Sequence, residues 1–135
     1  MGARLAKEQV RPALVLCSPA LRARQTLARV LPFLGDDLDV RIEPGLYVFD
    51  PCPLLRRLRE VADDATSVML VGHNPAMQEL ALTLTAQGDE GMRHEVATKF
   101  PTGALAEIEL RVDAWRDVAP GAGTLVRLVV PRALA

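Results

Sequence analysis

Two short runs of apolar residues, each followed at once by a polar turn and a proline, constrain this sequence most. Residues 13–17 (ALVLC) lead into Ser18-Pro19, and residues 67–72 (SVMLVG) lead into His73-Asn74-Pro75. Continuous apolarity over so few residues is typical of a strand that is buried on both faces, as in a parallel sheet. A proline suits the start of the helix that follows. The sequence therefore predicts two strand-to-helix units of the same construction.

The remaining pattern alternates strands with helices before it ends in two strands. Helices are expected over residues 1–9, 18–34, 51–62 and 75–84, and further strands over residues 39–43, 103–112 and 124–130. Residues 87–99 are polar and poorly patterned, which indicates a loop that includes a short helix at some point or none. This order predicts one domain over residues 1–135 with a three-layer α/β/α fold, a mainly parallel sheet and a C-terminal antiparallel hairpin.

Charge and composition exclude several classes of function. The 135 residues carry 16 Lys and Arg against 17 Asp and Glu, a net charge of −1, so neither nucleic acid nor an anionic membrane surface is an expected partner. No apolar stretch approaches the ~18 residues of a membrane span. Cys17 and Cys52 have neither disulfide-framework nor metal-ligand spacing, which favours reduced cysteines in the cytoplasm and no metal or cofactor.

The two predicted strand-to-helix turns together describe an anion site. Ligands of open α/β sheets bind at the carboxyl ends of the strands, where helix N-termini present free N–H groups and a positive dipole. Arg22 stands one turn into the first of these helices, and His73 stands at the end of the second strand. Each alone also fits a structural residue or a solvated charge, but the pair at equivalent places favours a phosphate ligand.

Cys17 offers a different phosphate loop, in which a thiolate is the nucleophile. That motif needs Cys-x5-Arg and a glycine-rich turn, whereas Cys17 and Arg22 are separated by four residues without glycine. The spacing argues against this alternative.

Three motifs in order resemble the SixA-type phosphohistidine phosphatases, a compact branch of the histidine phosphatase (phosphoglycerate mutase-like) superfamily. They are residues 17–27 (CSPALRARQTL), 71–75 (VGHNP) and 99–106 (KFPTGALA), with Leu46-Tyr47 as a further likeness. The resemblance implies a phosphoglycerate mutase-like fold. It also implies phosphoryl hydrolysis through a phosphohistidine intermediate, formed on a histidine in an Arg-His-Gly or Arg-His-Ala motif after the first strand.

The resemblance also assigns roles to residues of this chain. Arg22 and His73 match the second arginine and second histidine, which stabilise charge on the phosphoryl oxygens and count as catalytic. Ser18 and Asn74 are expected to contact the phosphate as well. Thr102 and Gly103 are expected to form the pocket wall.

The sequence departs from the family at the nucleophile. The other histidine is His94, in an Arg-His-Glu context that no strand precedes. We therefore expect the family's first strand and its nucleophile to be missing, the more so because the helix over residues 1–9 has no capping residue. In the family that strand lies between the strands matching residues 67–72 and 103–112. Its absence would leave two apolar edges, so the chain is expected to be poorly stable or to dimerise through them.

Glu43 and Asp50 are the candidates for the acid that phosphomonoester cleavage needs, although both also fit solvated loop carboxylates. A phosphorylated histidine leaves more easily than an alcohol. The expected partner is accordingly the phosphorylated histidine of a protein, such as a phosphotransfer domain, or else a small phosphorylated substrate. The alternatives are a binding module that recognises phosphate without turnover and a phosphomonoesterase of small metabolites.

Overall fold

Six strands and four helices make up the described part of the chain, which in this computed structural model comprises residues 12–35, 38–101 and 103–129. The helix predicted over residues 1–9 lies outside these ranges. The strands are β1 (Leu14–Cys17), β2 (Asp39–Ile42), β3 (Val68–Val71), β4 (Thr85–Gly88), β5 (Leu105–Leu110) and β6 (Gly123–Val129). The helices are α1 (Leu21–Val30), α2 (Pro51–Arg59), α3 (Ala76–Leu84) and α4 (Glu90–Thr98), and single 3-10 turns cover Leu31–Phe33, Pro44–Leu46 and Trp115–Asp117.

The first sheet is parallel and has the order β2-β1-β3. Leu14 lies opposite Asp39 on one side and Val68 on the other, and the register continues without a break to Cys17. All four β1 residues are buried, as a central strand with helices on both faces requires. The parallel sheet predicted from the apolar runs is confirmed.

Alternate β1 residues point to opposite faces and build two separate cores. Leu14 and Leu16 pack in a cluster with residues of α2 and α3, whereas Val15 and Cys17 pack in a cluster with residues of α1. Successive strand side chains alternate between faces, so a strand of continuous apolar residues contributes side chains to the cores on both faces of the sheet. The three-layer α/β/α arrangement is therefore confirmed.

The second sheet has the order β4-β6-β5 and mixes strand directions. The antiparallel hairpin of β5 and β6 is confirmed, but β4 runs parallel to β6 and was not predicted. The segment over residues 87–99, predicted as a loop with or without a short helix, is more ordered than that, because it holds the end of β4 and all of α4. The Asp89 side chain accepts from the Met92 N–H at 2.9 Å and caps α4. Gly88 joins the two elements at φ +135°, where a Cβ would come within 2.7 Å of the Leu125 carbonyl oxygen.

Both predicted proline-led helices begin later than expected. The first begins at Leu21 because the Ser18 N–H still extends the sheet, donating to the Val71 carbonyl oxygen at 2.9 Å. The Ser18 hydroxyl then accepts from the Ala20 N–H at 3.2 Å, which turns the chain into α1. The second helix begins at Ala76, so Pro75 precedes its first residue.

The two sheets are divided between β3 and β5. Within the described residues, β3 pairs only with β1 and β5 pairs only with β6, so each has one unpaired edge. A cavity of about 1380 Å³ lies between them and is lined by residues along both strands. This division lies where the family resemblance placed a further strand.

None of the helices within the described ranges has the length and apolarity needed to cross a lipid bilayer.

Candidate functional site

The loops that follow β1, β2 and β3 meet at one edge of the first sheet, because parallel strands end on the same side. Arg22 follows β1, Tyr47 and Phe49 follow β2, and His73 follows β3. All four residues line the cavity that divides the sheets. The structure thus brings together Arg22 and His73, the two residues predicted to be catalytic.

His73 presents two ring nitrogens that have no hydrogen-bond partner within the described residues, although both are buried. Buried polar atoms are nearly always paired, and an unpaired one costs about 1–3 kcal/mol. The ring is held instead by aromatic neighbours, with centroids 5.3 Å from Tyr47 and 5.2 Å from Phe49. His73 therefore lines the cavity with two ring nitrogens that no described residue pairs with.

Arg22 occupies the first turn of α1 and is exposed. It lines the cavity, and no side chain of the described residues pairs with its guanidinium. No acidic residue stands in the first turn of this helix, so nothing there neutralises the positive dipole end. A guanidinium and two imidazole nitrogens that line one cavity, and that no described residue pairs with, are suited to bind an oxyanion.

Ser18 and Asn74 have other tasks in the structure than a direct phosphate contact. Ser18 is fully buried, at 0% exposure, and does not line the cavity. Asn74 lines it, but its amide donates to the Phe100 carbonyl oxygen and its side-chain oxygen accepts from the Gln78 N–H at 3.2 Å. These bonds tie the start of α3 to the segment after α4. Phosphate contact by Ser18 or Asn74 remains a prediction, and the geometry assigns both to positioning.

The pocket wall predicted at Thr102 and Gly103 is described in part. Gly103 lines the cavity and has φ +85°, a conformation that favours glycine. Thr102 lies outside the described residues.

Cys17 is placed against a nucleophilic role. Its side chain is fully buried beneath α1, and burial raises the pKa of the thiol. A thiolate nucleophile needs the opposite shift and access to the ligand.

The two carboxylates predicted as possible acids are engaged elsewhere and do not line the cavity. Glu43 accepts from Arg57 at 2.7 and 3.1 Å, and this hydrogen bonding holds the pKa of the carboxyl below its usual range. Asp50 caps α2 by accepting from the Cys52 N–H at 2.8 Å, which likewise lowers the pKa of Asp50. A lowered pKa keeps both groups ionised near neutral pH, so neither is prepared to donate a proton.

His94 lies exposed on α4 and outside the cavity lining. Its position gives no support to a nucleophilic role. Among the described residues, His, Cys, Asp and Glu side chains form no group of three that could hold a metal ion.

Sequence reasoning missed Phe49 and Thr26 as residues of the site, and it treated Tyr47 only as a mark of resemblance. Thr26 lies one turn after Arg22 on α1 and lines the same cavity. A signal for the aromatic pair existed, because Tyr47 and Phe49 follow a strand parallel to β1 and so reach the same edge of the sheet.

Comparison with known proteins gives relatives in both sequence and structure. The chain is 37% identical over 120 residues to the uncharacterized protein Rv1276c of Mycobacterium tuberculosis, covering 87% of this chain and 73% of that protein. It is 33% identical over 119 residues to the uncharacterized protein ML1117 of Mycobacterium leprae, covering 87% of this chain and 71% of that protein. No protein-family model matches the chain.

Three solved structures similar to this chain carry the name SixA. The candidate phosphohistidine phosphatase SixA of Nakamurella multipartitia superposes with a TM-score of 0.79 at 27% identity, covering 96% of this chain and 77% of that one. The corresponding candidate from Agrobacterium tumefaciens superposes with a TM-score of 0.76 at 26% identity, covering 96% of this chain and 75% of that one. The protein histidine phosphatase SixA in complex with tungstate superposes with a TM-score of 0.71 at 26% identity, covering 98% of this chain and 77% of that one. The chain belongs to one family with the mycobacterial proteins, and its structure places it in the SixA-like branch of the histidine phosphatase superfamily.

Proposed function

We propose that this chain carries the phosphate-binding part of a phosphohistidine phosphatase site, in which Arg22 and His73 bind the phosphoryl oxygens. The observation that carries the proposal is that His73 and Arg22 line the same cavity, and that within the described residues neither the His73 ring nitrogens nor the Arg22 guanidinium has a partner. The likeness to SixA structures, one of them a tungstate complex, supports an oxyanion as the ligand.

The chemistry asked of these residues is electrostatic. Phosphoryl transfer spreads charge over three oxygens, and donors placed beforehand lower the barrier by stabilising that charge. The Arg22 guanidinium binds two oxygens at once, and a His73 ring N–H donates to an oxygen. The N-terminus of α1 adds backbone N–H groups and a positive dipole end.

These 135 residues contain no histidine in the motif context that the family's nucleophile has. The family's phosphohistidine forms on a histidine after a strand, in an Arg-His-Gly or Arg-His-Ala motif. His73 matches the other histidine of the site, and His94 is exposed on α4 outside the cavity lining. We accordingly expect these 135 residues by themselves to bind phosphate without turnover.

A binding module for a phosphorylated protein is the second candidate function, and the position of His94 favours it. A phosphorylated histidine of a protein, as in a phosphotransfer domain, fits both candidates. A phosphomonoesterase of small metabolites is disfavoured because Glu43 and Asp50 are engaged in other contacts. A loss of sugar-phosphate hydrolysis in Glu43→Gln or Asp50→Asn would restore that third candidate.

The binding test compares variants inside and outside the cavity. Isothermal titration of the purified chain with tungstate and with inorganic phosphate is expected to show binding. Arg22→Ala and His73→Ala should each weaken it by roughly tenfold to a hundredfold, because a hydrogen bond to a charged ligand is lost. Arg29→Ala on the same helix and His94→Ala are matched controls, since both residues are exposed and neither lines the cavity. Undiminished binding in Arg22→Ala would refute the site.

A turnover assay separates the two leading candidates. Phosphate release from a histidine-phosphorylated protein by these 135 residues would contradict binding alone. Intact mass spectrometry of the protein from its own cells then decides whether a segment with a further histidine accompanies these residues.

A further inference from the structure

We propose that Tyr47 and Phe49 form an aromatic subsite that binds the planar ring from which the phosphoryl group is removed, an N-phosphorylated imidazole. This inference rests on the proposed function and adds to it the recognition of the leaving group. Neither residue belongs to the set that the family motifs single out for phosphate contact.

The geometry places the two rings at the mouth of the phosphate site. Tyr47 and Phe49 meet edge to face, with centroids 5.9 Å apart at 89°, and each also contacts the His73 ring. Both line the cavity that Arg22 and His73 line. A phosphoryl group bound by Arg22 and His73 therefore carries its leaving group next to these rings.

Both rings leave much of their apolar surface exposed, where a ligand could cover it. Tyr47 is 53% exposed and Phe49 is 62% exposed, and Leu21, beside Arg22, is 63% exposed. All three line the cavity, so apolar surface is concentrated around two residues that suit an anion. A ligand with a charged phosphoryl end and an apolar ring matches this arrangement at both ends.

Aromatic rings favour a planar ring over an alkyl group of equal size. Ring faces carry negative charge density and ring edges positive, so stacked or edge-to-face pairs are stronger than the buried area alone would make them. The proposed function identifies that ring as an imidazole. Glu43 and Asp50 are bound elsewhere, and a phosphorylated imidazole leaves more easily than an alcohol.

The test uses phosphonates that no phosphatase hydrolyses. Titration of the chain with phenylphosphonate, cyclohexylphosphonate and methylphosphonate separates a planar ring, a non-planar ring of similar size and no ring. Phenylphosphonate is expected to bind about fivefold or more tightly than the other two. Tyr47→Leu and Phe49→Leu should each lower phenylphosphonate affinity more than methylphosphonate affinity, so that the preference for the planar ring is lost. Phe33→Leu is the control, since Phe33 is an exposed aromatic outside the cavity lining.

Each other outcome overturns a definite statement. Equal binding of phenylphosphonate and methylphosphonate overturns the aromatic subsite and leaves the phosphate site standing. A parallel loss of both ligands in Tyr47→Leu means that the residue only positions His73, which also overturns the subsite. Failure of N-phosphoimidazole to displace phenylphosphonate overturns the imidazole assignment. If none of the phosphonates binds, both the proposed function and the aromatic subsite are refuted.

Discussion

Glu43 illustrates how one contact at the residue scale decides a chemical role. Two nitrogens of Arg57 bind its carboxylate, and the side chains of Arg57 and Glu43 are only 17% and 27% exposed. The hydrogen bond to Arg57 lowers the pKa of Glu43 in the folded chain. The carboxylate thus joins the loop after β2 to α2, and its task is structural.

Replacing Glu43 should therefore reduce stability in a pH-dependent way. We expect Glu43→Gln to lower the free energy of unfolding at pH 7 by about 1 kcal/mol. Because the folded pKa lies below the unfolded value near 4.3, the contribution of Glu43 is present above about pH 4 and is lost as pH falls through the folded pKa. Urea denaturation at pH 7 and pH 3 measures the difference.

Asp39→Asn is the matched control for this prediction. Asp39 pairs with Arg41, but both side chains are more than half exposed, and such pairs contribute little. A loss in Asp39→Asn as large as that in Glu43→Gln would show that partial burial of the Arg57 pair has no special effect.

Arg22 and His73 could be predicted from sequence because each sits next to a strand-to-helix turn whose direction the sheet fixes. The aromatic pair could not, since its role depends on how the loop after β2 folds back to the His73 ring. The burial of Ser18 was not predictable for a related reason, and its phosphate contact stays a prediction. The sequence shows a hydroxyl near a helix start, but the side chain is buried by sheet pairing that continues one residue beyond the strand.

At the scale of elements, the extent of α4 was not predicted, because its stability comes from its ends and contacts. Its sequence has little apolar periodicity, and only Val96 is buried. The Asp89 cap begins it, and Gln78 of α3 donates to the Val96 carbonyl oxygen at 2.7 Å near its end. Tertiary contacts of this kind leave no local pattern to read.

Removal of the Asp89 cap should destabilise α4 measurably. We expect Asp89→Ala to lower the free energy of unfolding by about 1 kcal/mol, because the Met92 N–H loses its acceptor. Asp89→Asn keeps an oxygen in the same place and should retain most of the stability. Equal losses in the two variants, measured by urea denaturation, would mean that the charge and not the cap is responsible.

At the scale of the whole molecule, the parallel sheet, its helices and the final hairpin follow from the sequence, because buried strands and alternating strands have distinct patterns. The position of β4 does not follow, since its four residues (TAQG) are mostly small or polar and pair in parallel with β6. The separation of β3 from β5 was expected from the family resemblance and not from periodicity.

Within the described residues, β3 and β5 each have an edge that pairs with no strand, which makes association between copies the expected behaviour of the purified chain. We propose that the 135-residue chain dimerises through these edges, because exposed backbone N–H and C=O groups on apolar strands pair with other strands. Analytical ultracentrifugation over a dilution series should show a sedimentation coefficient that rises with concentration. A monomer at every concentration with an ordinary stability of about 5–15 kcal/mol would contradict this.

The cavity between β3 and β5 is continuous with the space beside Arg22 and His73. A strand that paired with β3 up to Val71 would therefore end next to the residues that suit an anion. Binding of that strand beside β3 and binding of phosphate beside Arg22 and His73 are then thermodynamically linked, and such linkage is reciprocal. A strand that raised phosphate affinity tenfold would itself be bound tenfold more tightly when phosphate was present, so the ligand would help to assemble the sheet that holds it.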